Sequence, residues 1–179
     1  MAYNECVFEL QYQHVLRFVQ HFANYIGIFS TYEHIANHRD FWRSTCDSHI
    51  EVATIAWCKV FGSYNETTHW TKTTNDEQAR NAFRCLLSSR TCLDQAQWTA
   101  YHKTMLEFRD KYVAHFDVNK HFESPVPQFA NALEVAYVYQ EWVRDLIKSV
   151  LLGQPTLRSL YEQYECEARE AASRFTGLS

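Results

Sequence analysis

The chain is expected to fold as a single all-α domain over residues 1–179, a bundle of about five to six helices. Three observations point there. Gly (4) and Pro (3) are scarce for 179 residues, too few turn-formers for a many-stranded β fold. Aromatic residues reach 16%, and a chain of this length can bury a substantial core. Apolar side chains also recur at helical spacing through most of the sequence.

The first helix is read from about Asn4 to Phe29. Phe8, Tyr12, Val15, Val19, Phe22, Ile26 and Phe29 alternate in steps of four and three, the repeat of a long packed helix. A second helix starts at Tyr32 or His38 and runs to Phe61. Its inner face is read as Phe41, Trp42, Thr45, His49, Val52, Ala53, Ala56 and Val60, with Gly62 as the C-terminal stop. The segment SYNETTHWTKTTN, Ser63 to Asn75, is polar and Thr-rich and reads as an exposed loop. Asp76 is placed to cap a short helix to about Ser89, with Ala79, Phe83 and Leu86 inward. Asp94 caps the next, LDQAQWTAYHKTMLEFRDKYVAHF, continuing to Phe116. Asp117 to Gln128 holds Pro125 and Pro127 and must be a loop. Another helix follows from Phe129 to Leu152, ended by Gly153. The last has Pro155 near its first turn and reaches about Phe175.

The formal charge of −4 rules out a broad basic surface, so any contact with nucleic acid is local. The six cysteines, Cys6, Cys46, Cys58, Cys85, Cys92 and Cys166, include no C-x-x-C pair. They read as reduced thiols of a cytoplasmic protein. The start, MAYNECVFELQYQH, lacks the basic and apolar runs of a signal peptide, and no stretch is long enough to span a membrane. Cys58 reads as a packing residue.

The nine histidines suggest metals only weakly. His34 and His38 are four apart, His14 and His21 seven apart, and Cys46 and His49 three apart. A di-metal bundle needs two E-x-x-H motifs on facing helices, and only Glu66-x-x-His69 is present, in the Thr-rich loop. Solvated or core histidines are the default, and neither a metal nor a cofactor is expected. His69 and Trp70, with Lys72, suit an ordinary loop anchor or, alternatively, base stacking.

One charge falls where the pattern wants none. At about 100° per residue, Trp98, Tyr101, Met105, Phe108 and Tyr112 share a stripe that Leu106, Val113 and Phe116 widen. Arg109 projects near the middle of that arc and His115 at its edge. A guanidinium aimed at a core or interface is costly unless it is paired or has a task.

The string Arg109-Asp110-Lys111-Tyr112-Val113-Ala114-His115 has the form R-x5-H with a polar residue after the arginine. It resembles the signature of the HEPN superfamily, R-x4-6-H near the end of a late bundle helix. The WCKVFGS run before it and the Pro-bearing loop after it extend a looser likeness over about Ile55 to Trp142, to a bacterial subgroup related to abortive-infection proteins. The resemblance implies a metal-independent endoribonuclease of toxin–antitoxin or antiviral defence systems. It implies Arg109, His115 and Asp110 as catalytic residues, RNA as substrate, a homodimer, and an antitoxin as a possible further partner.

The chemistry suits those residue types. An imidazole titrating near neutrality can exchange the proton of a ribose 2′-OH, and an arginine fork can stabilise charge on the phosphate. Asp110 can orient one of these groups, Lys111 can hold a flanking phosphate, and Tyr112 can position a base. On one α-helix, residues six apart differ by about 120° in direction and about 9 Å in height. One copy therefore makes a poor compact site, whereas two copies across a twofold axis place two arginines and two histidines around one cleft. The competing readings are a non-catalytic module that binds nucleotide, RNA or protein, and a purely structural or metal-binding bundle. In the last, Arg109 simply pairs with a carboxylate and His115 sits at a helix end.

Overall fold

Asparagine, aspartate and threonine open four of the helices, each accepting hydrogen bonds from the first turn's unpaired N–H groups. The structure is a computed structural model that describes residues 3–35, 38–114, 127–147 and 153–175, with 112–114 described by backbone alone. Among these residues are six α-helices and no strand: α1 (Glu5–Phe29), α2 (Arg39–Phe61), α3 (Glu77–Thr91), α4 (Gln95–Phe108), α5 (Phe129–Leu146) and α6 (Leu157–Ser173). Asn4 caps α1 through Val7 N at 3.2 Å, and Asp76 caps α3 through Gln78 N at 2.8 Å and Ala79 N at 3.2 Å. Asp94 and Gln97 form a reciprocal capping box on α4, and Thr156 accepts from Ser159 N at 3.0 Å on α6. The expected all-α bundle is therefore what the chain forms. No helix among the described residues is long and apolar enough to cross a membrane.

Several boundaries move. The second helix begins at Arg39, after His38 in the left-handed region at φ 60°. α5 stops at Leu146, because Ile147 leaves helical geometry at φ −128°, ψ 65°; the expected extension over 148–152 lies outside the described residues. Pro155 precedes the cap Thr156 and lies outside the first turn of α6. The expected helix from Asp94 to Phe116 changes character partway, as described below.

α1 packs against both α2 and α6, and α3 pairs with α5. Being flanked on two sides widens the buried arc of α1: Phe8, Val15, Val19 and Phe22 are buried as its repeat suggests, and further residues join them. Phe18 and Gln11 are fully buried, while Phe29, expected inside, is 58% exposed. On α2, Phe41 is likewise exposed, while Trp42, Ala53, Ala56 and Val60 are buried as expected, joined by Cys46 and Trp57. Trp57, Tyr139, Phe18, Phe83 and Met105 are among the large, fully buried side chains of the central core.

α1 and α6 approach closely at Gly27. A Cβ there would meet Glu165 O at 2.5 Å and the Ala168 Cβ at 2.8 Å. The obstacle is largely backbone, so the helices must separate to admit a side chain. Gly27→Val is expected to cost about 1–3 kcal/mol of stability, read by urea denaturation. A variant as stable as the wild type would mean that α6 can shift at little cost.

The Thr-rich segment is not the exposed loop that its composition suggests. Thr68, His69, Thr71, Thr73 and Thr74 are all buried, around a 3-10 turn at Trp70–Lys72. Their polar groups are satisfied internally. Asn4 N donates to Thr73 O at 2.8 Å, Thr68 Oγ1 donates to Lys59 O at 2.8 Å, and Tyr3 bridges to Thr74. Gln11, from the middle of α1, reaches the same segment: its Nε2 donates to His69 O at 2.8 Å.

Candidate functional site

Arg109 marks the point where the fourth helix stops being an α-helix. Its N–H is shared between Met105 O and Leu106 O, and Arg109–Ala114 then forms a π-helix. In a π turn the hydrogen bond spans five residues, so side chains beyond it leave the track of an α-helical projection. Such turns are rare and frequently occur at functional sites. The π segment packs on α2 and on α4.

The Arg109 side chain is 24% exposed, and that of Asp110 is 56% exposed. The arginine is thus neither buried in a monomer core nor fully solvated. Its Nε donates to Asp110 Oδ1 at 2.8 Å, and Nη2 lies 2.7 Å from the same oxygen. Asp110 therefore grips one edge of the guanidinium. Nη1 is the guanidinium nitrogen that Asp110 leaves unengaged. Lys111 turns back toward α4, with Nζ 3.7 Å from Glu107 Oε2. Tyr112 belongs to the π-helix by its backbone, and its side chain lies outside the description. His115 lies outside the described residues, so its expected place at the edge of the apolar arc is not part of this geometry.

Across from Arg109, α2 supplies Cys58. Burial pushes its thiol up to about 12; the charge of Arg109 opposes that rise, and Asp110 and Glu66 add to it. A buried thiol held protonated is not a nucleophile, in keeping with its reading as a packing residue. From Cys58 to Gly62, α2 runs antiparallel to the stretch of α4 from Arg109 back to His102. At that end His102 Nε2 lies 2.8 Å from Phe61 O and 3.1 Å from Gly62 O. Carbonyls only accept, so Nε2 carries a proton and closes the C-terminus of α2.

His102, Trp98 and Thr99 of α4 face Tyr64 and His69 of the Thr-rich segment across a cleft of about 300 Å³. Trp98 lies 6.0 Å from His102 and Tyr64 lies 5.6 Å from His69, ring centre to ring centre. Lys72 sits 3.9 Å over the Tyr64 ring. Burial, then the nearby charges of His102, Lys72 and Arg80, push His69 down to about 4. Its Nδ1 accepts from Thr71 N at 3.4 Å, so the neutral ring anchors its loop, as the pair His69–Trp70 suggested. His102 is the residue that sequence reasoning overlooked. Trp98 was read only as part of a core stripe, yet Trp98 and His102 stand one turn apart on one face, which was a legible signal.

His34 ends the 3-10 turn Tyr32–His34 and His38 is the residue before α2; among the described residues the two share no partner. Among the described residues, no group of three or more His, Cys, Asp or Glu side chains is arranged to hold a metal. Glu66 instead pairs with Lys59 at 3.1 Å. Compared with known proteins, the chain matches no family model, no curated protein and no solved structure.

Proposed function

We propose that this chain is a metal-independent endoribonuclease of HEPN type, a toxin or antiviral effector acting in the cytoplasm as a C2 homodimer. The observation that carries this reading is Arg109: an accessible guanidinium clasped along one edge by Asp110 at the start of a π turn. That arrangement fixes the orientation of a cation that can then offer Nη1 and the second N–H of Nη2 to the oxygens of a phosphodiester.

In the proposed reaction the ribose 2′-oxygen attacks the adjacent phosphorus and the 5′-oxygen leaves. One His115 imidazole takes the 2′-OH proton, and a second returns a proton to the leaving oxygen. Arg109 stabilises the extra negative charge on the phosphoryl oxygens. The products are a 2′,3′-cyclic phosphate and a 5′-hydroxyl. A twofold dimer supplies both imidazoles at one cleft, with Lys111 and Tyr112 contacting flanking RNA. A cognate antitoxin would act by covering this face.

The purified chain is expected to be a dimer by light scattering at micromolar concentration. It should cleave single-stranded RNA at full rate in EDTA. A monomer, or loss of cleavage on chelation, would count against the proposal.

The second reading, a non-catalytic module that binds RNA, nucleotide or protein, draws on the cleft between α4 and the Thr-rich segment. Tyr64 and Trp98 offer flat rings for stacking there, and His69 stays neutral. RNA binding without cleavage, retained in Arg109→Ala, would favour it.

A further inference from the structure

His21 on α1 and His49 on α2 meet across the groove between the two longest helices. Their Nδ1 atoms are 3.0 Å apart, with ring centres 4.9 Å apart and planes inclined by 54°. The pair borders an open cavity of about 250 Å³, which Thr45 and Ser48 also line. Two imidazoles at this spacing form an N–H···N hydrogen bond when no ion is bound, one ring donating and the other accepting.

The same spacing suits a pair of metal ligands. With metal–nitrogen bonds of about 2.0–2.1 Å, two nitrogens at 90° on one ion lie about 2.8–3.0 Å apart, and at the tetrahedral angle about 3.3–3.4 Å. The observed separation falls at the right-angled end of that range, so a small opening of the groove covers both geometries. Both rings are partly buried and favour the neutral form, which is the form that ligates. Burial holds both below the usual histidine range, and for His21 the charges of His49 and Arg17 add to the effect. The open cavity admits water to complete the coordination sphere.

We propose that His21 and His49 form a two-nitrogen chelate for a divalent cation of the zinc, nickel and copper group, clipping α1 to α2. The site lies apart from Arg109 and does not depend on the ribonuclease reading. Because only two protein ligands converge, it is an exchangeable structural clip and not a closed, permanently loaded centre.

The test uses the chelator-stripped chain and Zn²⁺ alone. Calorimetric titration should show one zinc per chain, and saturating zinc should raise the melting temperature. His21→Ala and His49→Ala should each weaken binding roughly 100-fold or more, because a chelate becomes a single ligand. Each should also abolish the rise in melting temperature. His14→Ala, also on α1, should change neither readout. Independently of how the variants fold, nitrogen-15 NMR of the wild-type imidazoles should show both Nδ1 resonances move on zinc addition. Absence of zinc binding, equal binding by the two variants, or unmoved Nδ1 resonances would each overturn the proposal.

Discussion

Replacing Arg109 by alanine is expected to lower RNA cleavage by roughly 100- to 10,000-fold, with little effect on folding. The folding part follows from its surroundings. The side chain is 24% exposed, and its ion pair is with the more exposed Asp110, a pairing that contributes little to stability. His115→Ala should cause comparable damage, since it removes the proton-transfer group. The double variant should be less than additively impaired, because both residues act on one transition state. Arg109→Lys should not fully restore activity, as an ammonium lacks the planar fork and cannot be held by one edge while presenting another. Asp110→Asn gives a more specific test. It keeps the shape but removes the charge that fixes Nε and Nη2 against Oδ1. If Asp110 is a positioning residue, the loss should appear mainly in kcat, at an unchanged pH profile set by His115. Activity should persist in EDTA throughout. Full cleavage by the Arg109/His115 double variant, folded and dimeric, would falsify the assignment.

The parts of this fold that were legible in the sequence are those encoded locally. Asp76 and Asp94 announce their helices because capping is a contact between residues two and three apart. Gly62 announces the end of α2: a Cβ there would run into the Cys58 carbonyl. The end of α4 was not legible. No Gly or Pro occurs between Asp94 and Phe116, and apolar spacing alone cannot distinguish an α turn from a π turn. The projection that placed Arg109 mid-stripe holds to that residue, and the π turn begins there. The buried face of α1 was legible in Phe8, Val15, Val19 and Phe22, but its full width was not: only the joint packing of α2 and α6 adds Gln11, Phe18 and Ile28 and leaves Phe29 outside. His21 and His49 were visible only as parts of separate spacings on separate helices, because their contact spans 28 residues.

The Thr-rich segment shows most clearly why composition misled, and it carries the largest expected effect on stability. Polar residues read as exposed because an unsatisfied polar group is costly to bury, but a satisfied one need not be. Gln11 provides much of that satisfaction. It is fully buried, and its Nε2 donates to His69 O at 2.8 Å, while its Oε1 accepts from Thr73 Oγ1 at 2.7 Å and from Tyr139 Oη at 2.8 Å. The orientation of the amide is fixed by the network, since His69 O can only accept. One side chain thus joins α1, the Thr-rich segment and α5. Gln11→Leu keeps most of the volume but removes three buried hydrogen bonds: His69 O keeps only the bond from Lys72 N at 2.8 Å and the Tyr139 hydroxyl loses its Gln11 acceptor, so the variant is expected to cost about 2–4 kcal/mol by urea denaturation. Tyr139→Phe removes the hydroxyl that would lose its acceptor. The double variant should therefore be less destabilised than the sum of the two single variants. Amides of the Thr-rich segment should also lose hydrogen-exchange protection in Gln11→Leu before those of α3 do, since Asp76 caps α3 independently of Gln11. A Gln11→Leu variant within about 0.5 kcal/mol of the wild type would show that Asn4 and the isolated Tyr3–Thr74 bridge hold the segment without it.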